Sequence, residues 1–216
     1  MSEITIKQHS VALTAMWGQS LSFATGGYDH LVHLWDVQDD LISATCQPLA
    51  IKHTAQVQSL LSIHDTSRKL ISASSDCNAH IWDLSSERVV NTLKASNSIF
   101  HLHKTRFPHC TLLEVAHREL QFEIRDHRLV PEEPVLRFGY PTAQTHGRYI
   151  RGDYREHAFA CGARDGTIRV WDTRNIRAPC NNTECLPGEK IVQVVFTSSH
   201  LIACSIRNQF TLVPFP

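Results

Sequence analysis

Short runs in which apolar residues alternate with polar or small ones recur along the whole chain. In 31–35, Leu31 and Trp35 share one face with His33 between them, while Val32 and Leu34 occupy the other. Ala79 and Ile81, and Ile168 and Val170, keep the same period of two, which predicts half-buried strands. Each such run follows a turn, and before the turn stands another β-rich run: LSFAT (21–25), KLISAS (69–74), HAFAC (157–161), HLIACS (200–205). Earlier still come VALTAMW (11–17), VQSLLSI (57–63), SIFHLHK (98–104) and IVQVVF (191–196). No segment sustains apolar residues at helical spacing, and Pro and Gly fall mostly between the runs. The pattern predicts an all-β chain with few helices.

These runs are copies of one unit. Residues 24–37 (ATGGYDHLVHLWDV), 71–84 (ISASSDCNAHIWDL) and 160–173 (ACGARDGTIRVWDT) each carry small residues, an Asp, five residues and then Trp-Asp. Trp35 and Trp82 lie 47 residues apart, and Trp82 and Trp171 lie 89 apart, close to two periods. A degenerate copy is therefore expected near 125, where Arg125-Asp126 takes the Trp-Asp place. A further copy ends the chain, with Asn208 at the Asp place and Pro214-Phe215 at the Trp-Asp place. Third strands are expected to end near Trp35, Trp82, Arg125, Trp171 and Pro214, within one domain over 1–216.

A period of 40–45 residues ending in Trp-Asp resembles the WD-repeat family of β-propellers, built of four-stranded blades. The resemblance implies about five blades. Two arrangements stay open: a ring closed by the strand-like segment 3–7, or part of a seven-blade ring. It also implies a hydrogen-bonded string of His, Ser/Thr, Asp and Trp in each blade. In blade one this is His9, Thr25, Asp29 and Trp35, and in blade two His53, Ser72, Asp76 and Trp82. Blade four has Asp165 and Trp171, with His146 as first member and Cys161 at the hydroxyl place. Blades three (Val115, Glu119, Arg125) and five (Cys204, Asn208, Pro214) cannot make the string. A buried carboxylate needs donors and a buried indole N–H needs an acceptor, which explains the residue types. His53, Ser72 and Asp76 are also a Ser/His/Asp set, but their recurrence along the chain points to structure rather than one active site, and the nucleophile-elbow pattern is absent.

The family resemblance further implies a non-enzymatic scaffold that binds other proteins, without cofactor or metal. The residue before each turn Asp often meets partners on the top face of such proteins; here these are Tyr28, Ser75 and Arg164, with Arg118 and Arg207 in the weak copies. Trp171-Asp172-Thr173-Arg174 also resembles the WDxR box of substrate receptors that dock on a cullin–RING ubiquitin-ligase adaptor. Arg128, in Asp126-His127-Arg128, occupies the matching place one copy upstream. The alternative function is thus a ligase substrate receptor using Asp172, Arg174 and Arg128.

Composition narrows the partners. Lys+Arg and Asp+Glu are 21 each, so a chain-wide basic surface for nucleic acid is excluded, although a local patch is not. Eight arginines (137, 148, 151, 155, 164, 169, 174, 177) face four acids within 137–177, a composition suited to carboxylate or phosphate contacts. His101, His103, His109 and Cys110 form a metal-like cluster that no carboxylate or second cysteine completes locally. Seven cysteines without a disulfide-like pattern suit a reducing compartment, cytoplasm or nucleus. No secretory leader or membrane-spanning run is expected from the sequence.

Overall fold

The computed structural model describes residues 12–15, 21–38, 40, 42–64, 68–129 and 133–215, and these contain strands and turns but no helix. The first sheet comprises β1 (Ala12–Ala15), β2 (Leu21–Gly26), β3 (Leu31–Val37) and β4 (Ala44–Lys52). The second comprises β5 (Val57–His64), β6 (Arg68–Ser74), β7 (Asn78–Asp83) and β8 (Arg88–Lys94). The third comprises β9 (Ile99–Lys104), β10 (Cys110–Val115), β11 (Phe122–Asp126) and β12 (Leu136–Phe138). The fourth comprises β13 (Asp153–Arg155), β14 (Ala158–Gly162), β15 (Thr167–Asp172) and β16 (Asn181–Glu184), and the fifth β17 (Ile191–Phe196), β18 (His200–Ser205) and β19 (Phe210–Pro214). Every sheet is an antiparallel meander in chain order.

The cores lie between sheets rather than within them. Ala24, Val32, Leu34 and Leu49 of the first blade meet Val57, Leu60, Leu70 and Trp82 of the second. The second packs on the third through Ile71, Ile81, Leu93, Ile99, Leu102 and Leu113. Phe122, Phe138, Phe159 and Trp171 dominate the third seam, and Ala160, Ile168, Val170, Ile191, Val194 and Leu201 the fourth. Alternation along a strand sends successive residues to opposite neighbours: Phe159 faces blade three while Ala160 faces blade five. Each blade therefore needs the next to cover it, the packing logic of a repeat array. No strand pairing among the described residues joins the fifth sheet to the first, and segment 3–7 lies outside the described residues.

Register identifies equivalent places. Trp35 pairs with Phe23, Trp82 with Leu70 and Trp171 with Phe159. By the same geometry Val213 pairs with Leu201. The Trp-Asp place of the fifth blade is thus Val213-Pro214, one residue earlier than the spacing suggests, and Ala203 rather than Cys204 stands at the hydroxyl place. In the third blade Arg125 pairs with Thr111, so the turn is two residues longer and Leu113, not Val115, faces that place.

The turns joining second and third strands explain the recurring Asp. Asp29, Asp76 and Asp165 each accept the amide N–H two residues on, at 3.2, 3.0 and 3.0 Å. The following residue is left-handed in all three: His30 (φ 67°), Cys77 (φ 70°) and Gly166 (φ 84°). A short acceptor side chain holding the turn makes that conformation tolerable. The weak copies substitute other acceptors. His117 Nδ1 takes the amides of Glu119 and Leu120 at 3.0 and 2.9 Å, and Ser205 Oγ those of Arg207 and Gln209 at 3.2 and 3.3 Å. Asn208 itself is the left-handed residue (φ 60°), again one place off the template.

Candidate functional site

The structural strings differ blade by blade. In blade one Trp35 Nε1 donates to Thr25 Oγ1 at 2.9 Å; His9 lies outside the described residues. In blade two His53 bridges Ser72 Oγ (2.9 Å) and Asp76 Oδ2 (3.1 Å), and Thr54 N–H donates to the same oxygen at 2.8 Å. Burial is the largest influence on the Asp76 carboxyl and pushes it up, but these donors outweigh it and hold it well below the usual aspartate range. The string stops there: Trp82 Nε1 is buried without a hydrogen-bond partner among the described residues. Ser72, His53 and Asp76 are tied into one blade, with His53 and Ser72 buried, so Ser72 is not presented to solvent.

Blade four departs from the expected string altogether. Asp165 is exposed and pairs with Arg169 at 2.8 Å, Cys161 supplies no hydroxyl, and Trp171 Nε1 is buried without a partner among the described residues. His146 turns to the neighbouring blade instead and donates to Glu114 Oε2 at 2.7 Å. Glu114, fully buried in β10, also accepts from His103 Nε2 (2.5 Å) and the Gly152 amide (2.8 Å) through Oε1. Burial is again the largest influence and raises its proton affinity, yet the two imidazole hydrogen bonds win, leaving the carboxyl well below the ordinary glutamate range.

In blade three a second buried acid pairs with the residue that stands at the Trp place. Arg125 fills the Trp place and donates to Glu123 Oε2 at 2.6 Å and to the Lys94 carbonyl at 2.8 Å. Glu123 and Arg125 lie two apart on β11 and share a face, which makes the pairing local. Both are essentially excluded from solvent, a setting in which removing one partner strands the other.

The top face is formed by the turns between second and third strands and the segments entering each first strand, which exchange backbone hydrogen bonds such as Val57 N to Gly27 O and Ile206 N to Lys190 O. Tyr28, Arg118, Arg164 and Arg207 are exposed there. Ser75 is occupied internally, accepting from Gln58 Nε2 at 2.9 Å and, through its carbonyl, from Ser98 Oγ at 2.8 Å. Arg207 pairs with Glu189 at 2.8 Å, and the carbonyl of Arg118 anchors Thr142. Sequence spacing missed one feature of this face: a cavity of about 540 Å³ bordered by His101, Arg148, Tyr149, Arg151, Lys190 and the 205–208 turn. Arg148 also reaches Tyr28 Oη at 3.4 Å, tying the first blade's turn to the segment entering the fourth. The arginine density of 137–177 was the available signal, but Lys190 lies outside it.

On the opposite face the two Asp-x-Arg copies adopt one geometry. Arg128 grips Asp126 through Nε (3.0 Å) and a terminal nitrogen (2.8 Å), and Arg174 grips Asp172 at 2.9 and 2.6 Å. Each Asp also accepts the amide of its arginine. The arginine hydrogen bonds, the largest influence, lower both carboxyls to about 2. Between these pairs, Phe107, Ile124, Val135, Leu136 and Tyr154 line an apolar hollow of about 300 Å³.

The metal-like cluster separates. His103 serves Glu114, and His101 donates to the Arg148 carbonyl at 2.9 Å. His109 and Cys110 join Asp126, with donor atoms within 4.8 Å. That arrangement could offer a cation three ligands, but Asp126 is already engaged by Arg128. Glu114, His146 and Cys161 form a second such trio, and both Glu114 oxygens are already hydrogen-bonded. All seven cysteines are free thiols. No helix among the described residues is long and apolar enough to cross a membrane.

The family model described as "WD domain, G-beta repeat" matches residues 2–36, 46–83 and 146–172. These stretches coincide with the three clear Trp-Asp copies, and the third begins at His146. The chain is also 24% identical over 146 residues to the ribosome biogenesis protein ytm1 of Pyrenophora tritici-repentis (strain Pt-1C-BFP), an alignment covering 66% of this chain and 30% of that protein. The chain thus carries WD repeats at three positions, on an array of five antiparallel sheets of three or four strands whose seams need successive neighbours, as in propeller blades.

Proposed function

We propose that the chain is a non-enzymatic scaffold that binds proteins through its top face. The observation carrying this reading is the division of labour among polar groups. The sets that could do chemistry (His53, Ser72 and Asp76; Glu114, His103 and His146) are spent on internal hydrogen bonds. The exposed turns instead present Tyr28, Arg148, Tyr149, Arg164 and Arg207, residue types favoured at protein contacts. The free thiols suit a reducing compartment, cytoplasm or nucleus, and similarity to a ribosome biogenesis protein makes ribosome-assembly complexes the first place to look for partners. The test is capture of proteins by the immobilised chain, quantified by mass spectrometry for wild type, a Tyr28→Ala/Arg164→Glu variant and Arg174→Ala. Loss with the top-face variant alone supports the proposal; an unchanged captured set overturns it.

A second reading, a ubiquitin-ligase substrate receptor, draws support from the matched Asp126–Arg128 and Asp172–Arg174 geometry on adjacent blades. It requires recovery of the ligase adaptor with wild type and its loss with Arg128→Ala/Arg174→Ala. Equal recovery with both, or none with either, ends it.

A further inference from the structure

The top-face cavity gathers positive charge without neutralising it. Arg148, Arg151 and Lys190 border it, and no carboxylate does. Among the described residues none of these three takes part in an ion pair, whereas Arg125, Arg128, Arg169, Arg174 and Arg207 each have an acid partner. The acids beside these cations in the sequence are engaged: Glu189 holds Arg207, and Asp153 accepts the amides of Tyr154 and Phe196.

An aromatic ring, not an acid, collects the cations. The Arg148 guanidinium sits 4.9 Å from the Tyr149 ring centroid and Lys190 Nζ 5.9 Å from the same centroid. A ring attracts cations but leaves their charge in place. The backbone sets the rest of the arrangement. Arg151 is bridged to Gln193, with its amide on the Val192 carbonyl at 2.9 Å and its own carbonyl accepting from Val194 at 3.1 Å. The Ile206 amide bonds the Lys190 carbonyl at 2.9 Å. Three like charges held together on fixed backbone, in a concavity rather than on a ridge, favour an anion more than isolated surface cations would.

We propose that this cavity binds an acidic segment of a partner protein, with Arg148, Arg151 and Lys190 receiving Asp or Glu carboxylates and Tyr149, Val192 and Ile206 flanking its apolar atoms. The proposal rests on the scaffold reading and names the chemistry of its partner. A protein carboxylate suits the site better than a nucleic-acid backbone for two reasons. The unpaired cations are gathered in one hollow of about 540 Å³ instead of forming a track, and charge is balanced over the chain as a whole, with 21 basic and 21 acidic residues.

The test is fluorescence anisotropy of the full chain with a labelled Asp/Glu-rich peptide of about eight residues, a Lys-rich peptide of equal length and a single-stranded RNA of equal charge. The variants are Arg151→Glu/Lys190→Glu and the milder Arg151→Gln/Lys190→Gln, each checked for an unchanged melting temperature. Tight binding of the acidic peptide alone is expected, weakened at least about tenfold by the reversal and by high salt, with the neutralised variant intermediate. No binding at low salt, or binding that ignores both variants, overturns the proposal. Tighter, variant-sensitive RNA binding overturns it in favour of a nucleic-acid ligand. If the peptide fails while Tyr28→Ala/Arg164→Glu still abolishes protein capture, the acidic-partner inference falls and the scaffold reading stands. If the peptide binds while protein capture ignores the top face, the scaffold reading falls instead.

Discussion

Replacing Glu114 tests how the third and fourth blades are joined. The carboxylate receives three hydrogen bonds, from His103, His146 and the Gly152 amide, at 2.5, 2.7 and 2.8 Å, and is fully buried. Glu114→Ala strands three donors in a dry seam and leaves a void, at a cost of about 3–5 kcal/mol, as when one partner of a buried ionic network is removed. Glu114→Gln keeps the shape and one carbonyl acceptor, and its cost is about 1–3 kcal/mol because its amide N–H₂ meets an imidazole donor. Urea unfolding followed by tryptophan fluorescence reads this directly, since Trp171 lies in the same seam. The pH dependence has a fixed sign. The native carboxyl titrates below its unfolded value, so its stabilisation is complete above about pH 4.5 and is lost as pH falls through the lower native value. The stability gap between wild type and Glu114→Gln should therefore shrink on acidification below pH 4.5. An alanine variant within about 1 kcal/mol of wild type, or a gap that does not change on acidification, would refute the reasoning.

The turn geometry predicts that Gly166→Ala destabilises strongly. Its φ is +84° and an added Cβ would lie 1.8 Å from the Leu186 carbonyl oxygen, so a loss of at least about 1–3 kcal/mol is expected in thermal melts, and a neutral effect would show the turn can relax. Thr25→Val removes the acceptor of the Trp35 indole and should cost about 1 kcal/mol with little change in volume; a stability equal to wild type would show that water satisfies the indole. Arg128→Ala/Arg174→Ala should leave the melting temperature unchanged, because both guanidinium groups are about two-thirds exposed; a clear drop would assign the Asp-x-Arg pairs a role in holding the blades.

Local chemistry was legible in the sequence, and contacts between blades were not. Asp29, Asp76 and Asp165 announce their turns because the acceptor and the amide it caps are two residues apart, so spacing alone encodes the bond. Trp35, Trp82 and Trp171 mark their strands because alternation with period two survives in each copy. The same reasoning slips by one residue in blade five and by two in blade three, where the capping residue changes to Ser205 and His117 and the turn changes length with it. Glu114 was invisible to it: 32 residues separate it from His146, and nothing in a β-strand reading marks a buried acid. Yet the two losses in blade four, Cys161 at the hydroxyl place and Asp165 turned to Arg169, are what leave His146 without a partner in its own blade. A buried imidazole must be satisfied, and the carboxylate that satisfies it comes from the next blade. A degenerate repeat thus exchanges an internal hydrogen-bond string for one that crosses the seam, which ties the fold of blade four to that of blade three. The cationic cavity follows the same rule. Its three charges come from segments entering the fourth and fifth blades, brought together by the Arg151–Gln193 bridge, so a repeat-by-repeat template counts the arginines without placing them beside Lys190.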